Sequence, residues 1–256
     1  MDARAFFEII GGLPFITDGS RPATLLTAVA CSRRNAAPDA HEALIDYLDP
    51  ENARVLFKRL ARSQVDEFDS TFCSALEQQE IAAATVRIGR VAEAWRSFFA
   101  IPIRYRKLVQ PMSSSTSALI PQTIYLGQRA FESHIPLEET LVHEHAHIWL
   151  NFVMEAYDLQ TEDAPRDYVL PSGTSGKTLR GVMAAAHFAA VALKFYRSQN
   201  NNLPSTARQA YLHKYLAGCL DIAAQRPCFT PMGSLVARAL NDFYQDITIC
   251  PEGIPS

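Results

Sequence analysis

After Pro136 the chain reads LEETLVHEHAHIWLNFVMEAY, and this stretch constrains the fold more than any other. Apolar residues recur at intervals of three and four, which predicts one continuous helix from about Pro136 to Tyr157. Glu138 and Glu139 fall in its first turn, where the macrodipole favours negative charge. Leu141, Val142, Ile148 and Trp149 flank three histidines, His143, His145 and His147. The flanks point to burial, and a buried imidazole needs a partner. His143, Glu144 and His147 spell His-Glu-x-x-His. On a helix, positions i and i+4 lie one turn apart on one face, so both imidazoles can meet one divalent ion, with Glu144 beside them and His145 pointing away. The competing reading is a helix whose histidines are solvated or hydrogen-bonded in the core.

Around this helix the pattern predicts a mainly α protein with a small β-sheet, an α+β arrangement. Residues 22–99 read as helix after helix with breaks at Pro38 and Pro50, and Ile81 to Phe99 as one longer amphipathic helix. IPIRYRKLV, from Ile101, and LIPQTIYLG alternate like strands and bracket a polar loop, the hydroxyl run Ser113 to Ser117. Residues 158–175, with Pro165, Pro171 and Gly173, read as a long loop of functional interest. A second long helix follows over about 176–196, then helices near 205–224 and 233–246. The expected organisation is one domain, 1–256, with an N-terminal helical scaffold (1–100) and a metal-binding catalytic part (101–256).

Composition narrows the function classes. The chain is 48% hydrophobic and 20% charged, enough for a buried core, and its net charge of −3 supplies no positive field for a phosphate backbone, so no nucleic-acid partner is expected. No apolar run approaches the roughly 20 residues of a membrane span, so no membrane partner is expected. Asp2 and Glu8 sit where a secretory signal carries positive charge, which points to a cytoplasmic protein. Five cysteines (Cys31, Cys73, Cys219, Cys228, Cys250) include no close pair and read as free thiols.

Two histidines do not complete a catalytic metal site, which ordinarily has three protein ligands. His187, in LRGVMAAAHFAAVALKFY, is the candidate third ligand, because Ala184, Ala185, Ala186, Ala189 and Ala190 around it let two helices approach closely. Glu155, Glu162, Asp163 and Asp167 are alternatives, as is a core role for His187. His134 and His213 lack comparable context. Arg180, seven residues before His187, lies near its helical face and can grip the carboxylate of an acidic cosubstrate, with Lys177 the alternative for that role; a solvent-facing helix charge is the other reading of Arg180.

The run LEETLVHEHAHIWLNF, a loop containing YVLPSG, then KTLRGVMAAAHFAAVALKFY, together resemble the HExxH-type 2-oxoglutarate/Fe(II)-dependent β-hydroxylases of peptide or amino-acid side chains. The resemblance covers roughly residues 113–197. It implies a zincin-like HExxH helix packed on the second long helix, with iron(II) held by His143, His147 and a third ligand from that later helix, and 2-oxoglutarate as cosubstrate. Aligning Leu179 and Gly181 with the family puts its later histidine on Ala184, with His187 one turn beyond. The activity implied is hydroxylation, or another oxidation, of an unactivated carbon of an amino acid, a carrier-bound amino acid or a peptide, in natural-product biosynthesis. The competing enzyme is a zinc metallopeptidase with the same histidines on Zn²⁺ and Glu144 as general base. Against it, the chain has neither an HExxHxxGxxH extension nor an NExxxD-like helix. A third class binds metal for stability or docks a partner. Oligomeric state is not legible from the sequence.

Overall fold

A computed structural model describes residues 1–60, 68–110, 113–132, 136–199 and 206–249; the expectations attached to His134 and Cys250 lie outside them. The fold is mainly α with one small mixed sheet, as the periodicities predict. In order the elements are α1 (Ala3–Ile9), α2 (Pro22–Ala36), α3 (Pro50–Leu60), β1 (Ser70–Phe72), α4 (Ala75–Val91), α5 (Arg96–Phe99), β2 (Arg104–Leu108), β3 (Ser114–Ser117), β4 (Ile120–Leu126), α6 (Arg129–Glu132), α7 (Leu137–Ala156), α8 (Leu179–Arg197), α9 (Thr206–Gln225) and α10 (Pro231–Ile249). No described helix is long and apolar enough to cross a membrane.

Packing divides the chain into two compact units, Pro22–Ala156 and a second made of Met1–Arg21 with Tyr157–Ser256. The first unit holds the sheet, in the order β1-β2-β4-β3. β2 and β4 run parallel, while β1 and β3 are antiparallel to their neighbours. All seven residues of β4 are buried, so both faces of this inner strand are covered, with α3 and α7 packed against it. Within its unit α7 takes α2 and α4 as its main helical partners. The second long helix belongs to the other unit, where its heaviest packing is along α9.

Three other expectations change. The hydroxyl run is strand β3, not a loop: Ser114, Ser115 and Thr116 pair with Leu126, Tyr125 and Ile124, and a strand of serines and threonines carries no apolar alternation to betray it. β1 is a further strand in the region read as all helix, three residues long and too short to show a period. The helix expected over 81–99 is in fact α4 and α5. It opens with a capping box, Ser74 accepting from the Glu77 amide while Glu77 accepts from the Ser74 amide, and breaks at Ala92, whose φ of −126° and ψ of 77° leave the helical region. The break turns Trp95 and Phe98 into the core. There Trp149 Nε1 donates to the Phe98 carbonyl at 3.0 Å, and the two rings meet edge-on with centroids 4.9 Å apart.

In the other unit α8 is buried on almost every side, and its alanines at 185, 186, 189, 190 and 192 allow the close packing against α9. Thr178 caps it by accepting from the Gly181 amide at 3.2 Å. Short bridges Gln160↔Phe229 and Tyr168↔Lys177 tie down the long 158–177 connection.

Candidate metal centre

Between Glu139 and Val153 every residue of α7 is buried except His143, His147 and Asn151, which are half-buried. These three are spaced by four, so one lane of an otherwise enclosed helix opens outward, and both motif histidines stand in it. Their Nε2 atoms converge to 2.8 Å, and the rings meet at 72° with centroids 4.6 Å apart. Two neutral imidazoles cannot both present a lone pair at that separation. A proton held by one nitrogen, or a cation between the two, resolves the contact, and imidazoles are ordinary ligands of divalent first-row metals. The donor set therefore fits half of a metal site. Among the described residues no group of three or more His, Cys, Asp or Glu side chains is placed to hold an ion.

Glu144 projects away from the open lane and is 2% exposed. Burial pushes its carboxyl up to about 7, while the hydroxyls of Ser114 and Thr116 on β3 pull the other way by hydrogen bonding to it. Its Oε2 has no hydrogen-bond partner. An acid with a pKa near neutrality can serve as a proton donor or acceptor. The hydroxyl run, taken in the sequence for a loop, thus supplies the immediate surroundings of Glu144.

His145 faces neither solvent nor the other two histidines. Its Nε2 lies 3.2 Å from the Tyr105 hydroxyl, and its ring lies against Phe99 with centroids 4.1 Å apart. Nδ1 meets the Phe98 backbone only loosely, without a well-shaped hydrogen bond. Burial drives this imidazole down to about 3, against a smaller upward pull from Phe98, so it is neutral at all physiological pH. The expectation that His145 points away from the pair holds.

The other candidates have partners of their own. Glu155 forms a two-pronged pair with Arg33, Nε to Oε2 and Nη2 to Oε1, both 2.8 Å. That contact removes it from the list of third ligands. His187 belongs to the other unit, where it is fully buried and its Nε2 lies 2.9 Å from the Pro14 carbonyl. The contact fixes Nε2 as a proton-bearing donor, which takes that nitrogen out of metal coordination. Arg180 sits 3.5 Å from the Asp158 carboxylate, both side chains about half exposed, and its backbone amide donates to Gln160 Oε1 at 3.0 Å. Lys177 pairs through its backbone with Tyr168, and Asp167 pairs with Arg226 at 2.9 Å. His143, Glu144 and His147 are thus brought together on one helix of one unit; His187, Arg180 and Lys177 are held by contacts within the other.

Sequence reasoning missed Asn151, Ser114, Thr116 and Tyr105. Only Asn151 carried a usable signal, its spacing of four from His147. Comparison of the chain with models of known protein families and with curated proteins finds no match in either.

Proposed function

We propose that the chain is a mononuclear metal enzyme whose His143 and His147 hold iron(II), and that it uses 2-oxoglutarate and dioxygen to oxidise an unactivated carbon of an amino-acid side chain, free, carrier-bound or within a peptide. The observation that carries the metal half of this reading is the convergence of the two Nε2 atoms in the one open lane of a buried helix. The choice of iron and 2-oxoglutarate is supported by the resemblance of residues 113–197 to the HExxH-type β-hydroxylases. When bound, iron with its cosubstrate supplies the oxidising power, as cofactors do for chemistry that side chains cannot perform. The chain's share is narrower. The apolar residues around the lane, Leu141, Val142, Ile148 and Trp149, fix the helix rigidly and hold the imidazoles at a set separation. Glu144, clasped by β3, ties the sheet edge to the metal helix. His143 and His147 supply two of the positions on the ion, and positions beyond them are open to cosubstrate, substrate and water.

A second reading is favoured by one observation, the unpartnered Oε2 of a Glu144 whose carboxyl is raised to about 7. A carboxyl near neutrality suits a general base in a zinc hydrolase, a role that would require Glu144 to turn from β3 toward the histidine lane. Anaerobic titration of the iron(II)-loaded protein with 2-oxoglutarate separates the two. A saturable visible charge-transfer band, absent in His143→Ala and His147→Ala, is the expected result. No band, together with zinc-dependent peptide cleavage abolished by Glu144→Gln, would replace the first reading with the second.

A further inference from the structure

A pocket of about 590 Å³ opens between α4 and the segment running from Phe99 to Tyr105, well within the range of small-molecule sites. Ile81, Phe99, Ile101 and Ile103 form its apolar walls, and among the described residues no acidic or basic side chain lines it. Its polar groups are three. Thr85 donates its hydroxyl hydrogen to the Ile81 carbonyl at 2.9 Å, and Gln78 donates its amide to the Cys73 carbonyl at 2.9 Å. Tyr105 meets His145 Nε2 at 3.2 Å. The Thr85 hydroxyl hydrogen and one of the two Gln78 N–H groups are therefore engaged, while the side-chain oxygens of all three keep lone pairs.

We propose that this pocket is a second ligand site, one that takes an uncharged, largely apolar small molecule carrying a single hydrogen-bond donor. A charged ligand would lose its hydration against walls that return no ion pair. A ligand with a lone N–H or O–H finds acceptors already oriented. The site is separate from the histidine pair: Phe99 and Tyr105 both touch His145, which stands two residues, or about 200°, around α7 from His143. It does not depend on which metal, if any, the pair binds.

Two dyes that share one ring system and differ by a charge test this. N-phenyl-1-naphthylamine is neutral, has one N–H and brightens in apolar surroundings; 8-anilino-1-naphthalenesulfonate adds an anion. The neutral dye is expected to bind saturably at one site per chain, and the sulfonate about tenfold or more weaker, a difference of at least about 1.4 kcal/mol. Ala82→Trp fills the pocket from an exposed position on α4, and Thr85→Phe does so from within; each is expected to weaken the neutral dye about tenfold or more. Arg4→Trp, at a smaller pocket of about 440 Å³ lined by Tyr157 and Met232, is expected to leave binding unchanged. Non-saturable binding, equal affinity for the sulfonate, or loss of binding in Arg4→Trp and not in Ala82→Trp or Thr85→Phe would overturn the proposal.

Discussion

Replacing Glu155 by leucine should destabilise the Pro22–Ala156 unit by several kcal/mol, because of what it leaves behind on Arg33. The Arg33 side chain is 2% exposed and that of Glu155 11%. Besides its two bonds to Glu155, the guanidinium donates through Nη1 to the Tyr47 carbonyl and to Gln122 Oε1, both at 2.7 Å, and lies over the rings of Phe57 and Phe152. Glu155→Leu strands a buried cation with two N–H donors unmade, at a cost of about 3–5 kcal/mol. With a urea slope of about 2 kcal/mol/M the midpoint falls by roughly 2 M. Tryptophan fluorescence is the suitable probe, because both tryptophans of the chain, Trp95 and Trp149, are buried in this unit. The double variant Arg33→Met/Glu155→Leu removes the charge with its partner and leaves only the Tyr47 and Gln122 acceptors short, about 1–3 kcal/mol. It should therefore be more stable than Glu155→Leu alone. A Glu155→Leu loss below about 1 kcal/mol, or a double variant that simply sums the two singles, would refute the reasoning.

Gln122 sits at φ 54°, where a glycine costs less than an alanine, yet its amide donates to the Leu48 and Pro102 carbonyls at 2.6 and 3.1 Å. Both Gln122→Ala and Gln122→Gly should lower stability, the alanine by about 1 kcal/mol more, and equal losses in urea melts would contradict the backbone argument. Glu144 is an acid whose folded pKa, about 7, lies above its ordinary 4.5. Its protonated form is favoured by the fold, so its contribution is complete below pH 4.5 and is lost as pH rises through 7, roughly 3 kcal/mol in all. In chelator-treated protein, Glu144→Gln should then gain stability relative to the parent between pH 5 and 8, and a difference that stays flat across that range in thermal melts would be the contrary result. Cys31 is exposed, whereas Cys73 and Cys219 are buried, the latter with its thiol pushed up to about 12 by burial. Brief alkylation at pH 8 followed by peptide mass analysis should find Cys31 modified and Cys219 intact; early labelling of Cys219 would contradict its burial.

The candidate site was legible as far as local geometry reaches. His143 and His147 are one turn apart whatever surrounds them, so the sequence alone places two imidazoles side by side, and the long apolar helix that carries them announces itself by period. Beyond one turn the information runs out, because each remaining role is decided by a partner far away in the chain. Glu155 offered itself as a ligand by being a carboxylate two turns past His147, and nothing nearby reveals that Arg33, 122 residues earlier, claims it. The alanines around His187 did signal close packing, but the atom that meets its Nε2 is a carbonyl 173 residues before it. The hydroxyls of β3 had no period to read, since polar strands lack the alternation that reveals a half-buried one. The same limit explains the open lane. Apolar residues lie on every side of α7, so its sequence cannot say which lane faces outward; α2, α4 and the sheet cover the rest and leave His143, His147 and Asn151. An imidazole pair encoded at i and i+4 is thus readable from one helix, whereas any group that another element must deliver to it is not.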